Sequence, residues 1–258
     1  MSVGERFVRS FATKVELDAE VLARPGTTVV ARDDRAGSGA AVCYWADKRA
    51  VIWADPAVVD LVIGLADDHV TISPEQFEAG AEGVGLHRWA AADFRVLSGP
   101  ASPPAPLPAG YRQRWLRSDR PADVSLVKRF VDRSDPVEVE AAAFENMDDY
   151  EDIAINVVVP AGRAGDPVEG QSAVACASAT EWNWDPAFAD IGVLVDPAHR
   201  GSGLGRFVVA STVARLVADG RLPLYRHERN NAGSKRIALG VGFETVTELT
   251  YYATTPRP

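Results

Sequence analysis

The sequence predicts an α/β (α+β) architecture in two domains, and three observations carry that prediction. Strand-like apolar runs exchange with helical patterns along the chain. A proline-rich stretch, SGPASPPAPLPAG (98–110), can neither ladder nor coil and breaks the sequence in two. The segment VDPAHRGSGLGR (195–206) leads an apolar strand through Asp-Pro, an arginine and three alternate glycines into a helical pattern. At 258 residues the chain stands near the upper limit of a single core. The expected division is therefore a smaller α/β domain (1–97), the linker (98–110) and a second domain (111–258).

In the first domain, residues 4–20 read as a helix and TTVVARDD as a strand. AAVCYWADKRAVIWADP reads as two strands with a turn at Asp47-Lys48. PAVVDLVIGLAD suits a helix headed by Pro56. SPEQFEAGAEGVG opens on Ser73, Pro74 and Glu75 as a helix start and closes on Gly83 and Gly85. HRWAAADFRVLS is the last strand. Trp45, Trp53 and Trp89 could line a pocket, although core mass is the ordinary use of such rings.

In the second domain, YRQRWLRS alternates like a strand, and residues 121–134 and 137–148 are helical in pattern. DIAINVVVP, QSAVACASAT and FADIGVLVDP are three strand candidates in a row, separated by turn-rich segments. A helix follows from about 203 to 219, with Leu204, Phe207, Val208, Val213, Leu216 and Val217 apolar and Gly220 as its stop. LPLYRHER is a strand, NAGSKRIALG a short helix, and FETVTELTYYAT a terminal strand or hairpin. The order is β-α-α-β-β-β-α-β-α-β.

Composition narrows the function classes. The chain carries 27 Lys and Arg against 36 Asp and Glu, a net charge of −9 shared by both halves. No face is forced to be basic, which argues against nucleic acid as the main partner. Cys43 and Cys176 stand alone in apolar runs without metal-ligand spacing and read as buried free thiols. The N-terminus is too charged for a signal peptide and no apolar run reaches membrane-spanning length, so a cytoplasmic protein is expected.

The glycine segment invites a chemical reading. A helix N-terminus leaves backbone N–H groups without partners and favours negative charge. Glycines before and inside its first turn let a bulky anion approach those amides, and Arg200 can add a charge-assisted bond. The plain alternative is a tight turn with no ligand. A Walker-type loop would need Gly-Lys-Ser/Thr, but Gly205 is followed by Arg206 and Phe207. A dinucleotide fingerprint would need glycine where Arg206 stands.

A third pattern fits. Arg200-Gly201-Ser202-Gly203-Leu204-Gly205 is similar to R/Q-x-x-G-x-G/A, the acyl-CoA pyrophosphate loop of the GNAT acetyltransferase superfamily. DIGVLVDPAHRGSGLGRFVV resembles that family's strand-loop-helix unit. NNAGSKRIALGVGFE resembles its N-x-x-A/S…G-F ending, with Asn231, Ser234, Gly242 and Phe243 in register. The resemblance covers about residues 111 to 255. It implies a GNAT acyl-CoA acyltransferase fold with a mixed, splayed central sheet, behind a smaller α/β domain of unrecognised type.

The activity implied is transfer of an acetyl (acyl) group from acetyl-CoA to a primary amine by direct attack, with no metal. The pantetheine arm would lie where IGVLVDP parts from PLYRHER, bonded to the main chain of Val193, Leu194 and Val195. An extended arm added to a strand edge pairs as a peptide does. The amides of Gly201, Ser202, Gly203, Leu204, Gly205 and Arg206, with Arg200, would take the pyrophosphate, and Asn231 and Ser234 would sit near the pantetheine and phosphate portions. Asp190 is the candidate base, placed as the glutamate of the family's AEI opening; Glu181, Glu145 and Asp148 are rivals, and His227 could titrate usefully. The family's thiolate-protonating tyrosine is replaced by Ala238, leaving Tyr225, Tyr251 or water.

The expected partner is a small-molecule or peptide amine, with no nucleic acid and no membrane; a homodimer stays open. Two alternatives stand beside the enzyme: a non-catalytic acyl-CoA-binding or regulatory module, and a nucleotide-binding protein using the same loop. The first domain reads as a decayed duplicate or a lid. Its RAGSGAA (35–41) has Gly37 and Gly39 but begins a strand, so a single cofactor site is expected.

Overall fold

The structure, a computed structural model, describes residues 1–18, 20–33, 38–45, 48–66, 71–117, 119–144, 154–161 and 172–255. The first elements are α1 (Val3–Lys14), β1 (Gly26–Ala31), β2 (Ala40–Trp45), β3 (Arg49–Ala54), α2 (Val59–Ala66), α3 (Pro74–Ala81) and β4 (His87–Val96). Then come β5 (Tyr111–Leu116), α4 (Pro121–Val131), α5 (Pro136–Ala141), β6 (Ala154–Pro160), β7 (Ala175–Glu181) and β8 (Phe188–Val195). The last are α6 (Leu204–Ala218), β9 (Leu222–Glu228), α7 (Ala232–Val241) and β10 (Glu244–Ala253). One compact unit comprises Met1–Arg95, Glu228–Asn230 and Thr245–Pro258; the other comprises Val96–His227 and Asn231–Glu244.

In the first unit, the strands follow the order β1-β3-β2-β10-β4. β1 runs parallel to β3, while β2 is antiparallel to both β3 and β10. The terminal strand, expected in the second domain, therefore belongs to this sheet, paired through Leu249 with Cys43. Alternation sorts the side chains by face. Val42, Tyr44, Ile52 and Tyr252 pack under Val62 of α2 and Phe77 of α3. The opposite face meets α1, whose Phe11 ring lies 4.9 Å from Trp45 and 5.3 Å from Trp53. Those two tryptophans are core mass; Trp89 is 43% exposed.

Two helices of this unit start on reciprocal caps, Ser2 with Glu5 in α1 and Ser73 with Gln76 in α3. The first stops at Lys14, short of the expected residue 20, because Glu16 turns left-handed at φ 58°. Lys48 does the same at φ 64° before β3; its expected turn partner Asp47 lies outside the described residues. Gly39 has φ 81°, and a Cβ there would stand 2.3 Å from the Tyr252 carbonyl. That glycine serves close backbone approach at the head of β2; Gly37 lies outside the described residues.

In the second unit, the order is β9-β8-β7-β6-β5, antiparallel throughout except for β8 against β9. This is the mixed sheet that the resemblance implies. One face carries α6 and α7, with Val208, Val213, Ala238 and Phe243 packed on Ala177 and Ile191. The other carries α4 and α5, with Leu126, Phe130 and Val139 packed on Val157, Cys176 and Leu194. Buried Asn156 on β6 donates to the Val208 carbonyl at 3.2 Å and accepts from Gln113 at 3.0 Å. The proline-rich stretch forms no helix or strand, yet Ala101 and Leu107 pack on the core and Ser102 N–H donates to Val241 O at 3.2 Å.

Candidate functional site

The parallel ladder between β8 and β9 is short. It pairs Phe188, Ala189 and Asp190 with Leu222, Pro223 and Leu224, and no further pair joins the two strands. On its other edge β8 stays paired with β7 all the way to Val195. From Ile191 to Leu194 one edge of β8 is thus open, which is the splay expected at this point; at Val195 Arg200 Nε takes up the carbonyl on that edge. Ile191, Val193 and Val195 face α6 and α7, whereas Leu194 faces α4 and α5. Gly192 shares the Leu194 face, and a Cβ there would meet the Ala142 carbonyl at 2.0 Å. The end of α5 therefore rests on the strand where the fork opens.

Past Val195 the chain makes a tight corner. Asp196 accepts from Ala198 N–H at 2.9 Å, and His199 Nδ1 lies 2.8 Å from the Tyr111 hydroxyl. Ser202 donates its hydroxyl to the His199 carbonyl at 2.5 Å. Gly201 and Gly203 take φ of 77° and 86°, and the space a Cβ would fill at each is open. Gly203 caps α6 with no side-chain acceptor on the first-turn amides. Gly205 has a different cause: a Cβ there would stand 2.8 Å from Ile237 Cδ1, so its bareness lets α6 approach α7. Arg206 lies along Gly240 of α7.

Arg200 is already engaged. It donates Nε to the Val195 carbonyl at 3.1 Å and Nη2 to the Glu138 carboxylate at 2.8 and 2.6 Å. Asn231 caps α7, accepting from Ser234 N–H at 2.9 Å. The Ser234 hydroxyl in turn lies 2.8 Å from the Tyr225 hydroxyl. Burial pushes the Tyr225 phenol up to about 12, opposed by the Ser234 bond. Ala238, fully buried, stands in the same core cluster as Tyr225.

The fork apex brings Asp190 and Tyr225 together on opposite faces. Asp190 closes the ladder, and its neighbours Ala189 and Ile191 both face α6, as does Tyr225 of β9. Asp190 accepts from Arg226 Nε at 2.7 Å. Glu181 pairs with Ala189, before the fork opens, and holds Arg221 at 3.3 Å. His227 is buried, its ring 6.3 Å from Tyr225 as strand alternation requires. Tyr251 belongs to the first unit and packs on Trp89 at 5.3 Å. Glu145 and Asp148 lie outside the described residues.

Sequence reasoning missed Glu138, Arg226 and Gly192. The last carried a usable signal, since a lone glycine inside a strand pattern marks a close approach. In the first unit, a cavity of about 380 Å³ is lined by Arg88, Trp89, Ala90, Ala91 and the turn Glu228–Asn230. Among the described residues no His/Cys/Asp/Glu group could hold a metal, and no helix is long and apolar enough to cross a membrane.

No family model and no curated protein matches the chain. Among solved structures it is similar to a GCN5-related N-acetyltransferase from Kribbella flavida, at 15% identity over 100% of this chain and 97% of that one, TM-score 0.47. It is similar to a tandem GNAT protein from the clavulanic acid biosynthesis pathway, at 17% identity over 80% and 74%, TM-score 0.47. It is also similar to a GNAT-family acetyltransferase from Colwellia psychrerythraea, at 10% identity over 78% and 76%, TM-score 0.45. What the site can do rests on its own strands and loop.

Proposed function

We propose that the second unit is an acyl-CoA-dependent N-acyltransferase that moves an acetyl group from acetyl-CoA to a primary amine. One observation carries this reading: the open β8 edge ends at a helix mouth whose amides lack a side-chain cap. From Ile191 to Leu194 that edge offers about 10 Å of unpaired backbone, at ~3.3 Å per residue, and at Val195 the carbonyl is held by Arg200 Nε. An extended arm bearing two amides suits it, and a diphosphate at the end of the arm suits the amides beyond Gly203.

The chemistry follows from the two faces of the fork. A neutral amine attacks the thioester carbonyl, the C–N bond forms, the C–S bond breaks, and the thiolate takes up a proton. Asp190, on the α4 and α5 face, is our candidate to receive the amine proton. Its bond to Arg226 has to loosen for that role. Tyr225, on the α6 and α7 face, is our candidate to protonate the thiolate; its phenol is protonated at neutral pH with or without burial, and burial makes it the weaker acid. Glu181 serves less well because it lies before the opening. The acidic chain favours a cationic acceptor, and the two buried free thiols, Cys43 and Cys176, favour a reducing, cytoplasmic setting.

A second reading is favoured by Ala238 and by the guanidinium on Asp190: a module that holds acyl-CoA without turning it over. Calorimetry with CoA and thiol release from acetyl-CoA over an amine panel separate the two. The enzyme binds CoA and frees thiol only when amine is present. Binding without thiol release selects the module, and no binding sinks both.

A further inference from the structure

The arginine at the corner is held by a carboxylate that reaches across from another helix. Both Glu138 oxygens accept from Arg200 Nη2, while Arg200 Nε is tied to the Val195 carbonyl. Glu138 stands in the first turn of α5. That helix is fixed at two points on one sheet face: Val139 is buried against the sheet, and the Ala142 carbonyl lies on Gly192. The carboxylate is therefore carried on a packed element, not on a wandering loop.

We propose that Glu138 is an internal anion that competes with the cosubstrate's diphosphate for Arg200, and so governs how tightly and how charge-dependently acyl-CoA is held. This rests on the acyl-CoA reading of the same corner. The side chains of Arg200 and Glu138 are 47% and 42% exposed, so their pair is weak enough for a multivalent anion to displace. Once displaced, the carboxylate stays close to the bound phosphates and repels them. Both effects act against binding, and both vanish when the carboxylate becomes an amide.

Calorimetry on the full chain tests this with Glu138→Gln, an exposed and nearly isosteric change. CoA should bind the variant roughly two- to fivefold more tightly than the wild type at low salt. The gain should shrink in about 0.5 M salt, where the screening length falls to a few ångströms. Pantetheine, which has no phosphate, should bind both proteins alike. In an Arg200→Ala background, itself weaker for CoA, the same substitution should give a clearly smaller gain. A purely structural role for Glu138 would move none of these charge dependences. If the wild type binds CoA but Glu138→Gln binds it equally or less tightly, the proposal is overturned. It is likewise overturned if Arg200→Ala leaves CoA affinity unchanged, while the acyl-CoA reading survives. Absence of CoA binding in both wild type and Glu138→Gln overturns that reading and this proposal together.

Discussion

Gly201, Gly203 and Gly205 alternate in the sequence but answer to two different physical demands. The first two need positive φ and face open space, whereas Gly205 removes a Cβ that would strike Ile237. A side chain at 203 therefore costs backbone strain in every case, and its Cβ meets no protein atom within 4 Å. Gly203→Ala should lower stability by about 1 kcal/mol, the cost of a left-handed alanine. Gly203→Glu carries the same strain and adds a carboxylate at the corner proposed to hold the diphosphate. It should weaken CoA binding roughly tenfold or more beyond the alanine variant, about 1.4 kcal/mol. Urea titration gives the first quantity and calorimetry the second. Equal CoA affinity for both variants would place the diphosphate elsewhere.

At the scale of elements, the fork depends on α5 lying against β8 at Gly192. Even a single methyl there would approach the Ala142 carbonyl to 2.0 Å, so helix or strand must shift. Gly192→Ala should cost about 1–3 kcal/mol by overpacking, and should impair thiol release more than CoA binding. A variant as stable as the wild type in urea would show that the contact is slack. Elements of this kind were readable wherever the signal was local. Ser73, Pro74 and Glu75 announce α3, Gly220 announces the end of α6, and the strand-loop-helix from Asp190 to Val209 carries its own pattern. Pairings across long separations were not. Arg226 and Asp190 are 36 residues apart, Arg200 and Glu138 are 62, and no period links such charges. β10 was read as a terminal strand or hairpin, but nothing in its own residues states that it is one strand or that its partner is β2. In α6 the sequence marked Leu204, Phe207, Val208, Val213, Leu216 and Val217 as the apolar positions, yet every residue from Val208 to Val213 is buried and Val217 is 51% exposed.

The whole chain adds a property that neither site nor element shows: dependence on thiols kept neutral. Cys43 lies in the first unit and Cys176 in the second, and both are fully buried. Burial pushes Cys43 up to about 12 and Cys176 further, since no hydrogen bond is there to offset its desolvation. In the unfolded chain a thiol titrates near 8.5. Between those values the unfolded chain binds fewer protons than the native one, so stability falls as pH rises. The contribution is fully present below about pH 8.5 and is lost progressively toward pH 12. By pH 10.5 the cost is about 3 kcal/mol for each thiol. Urea unfolding under reducing conditions, followed through tryptophans in each unit, should show both transitions weakening from pH 8.5 to 10.5. Cys43→Ala should flatten the alkaline slope of the first unit while leaving that of the second, whatever it does to the baseline. Slopes that are flat in the wild type would mean that water reaches both sulfurs in the native protein. A slope that survives Cys43→Ala undiminished would assign the first unit's loss to its buried phenols, Tyr44 and Tyr252, which burial also raises.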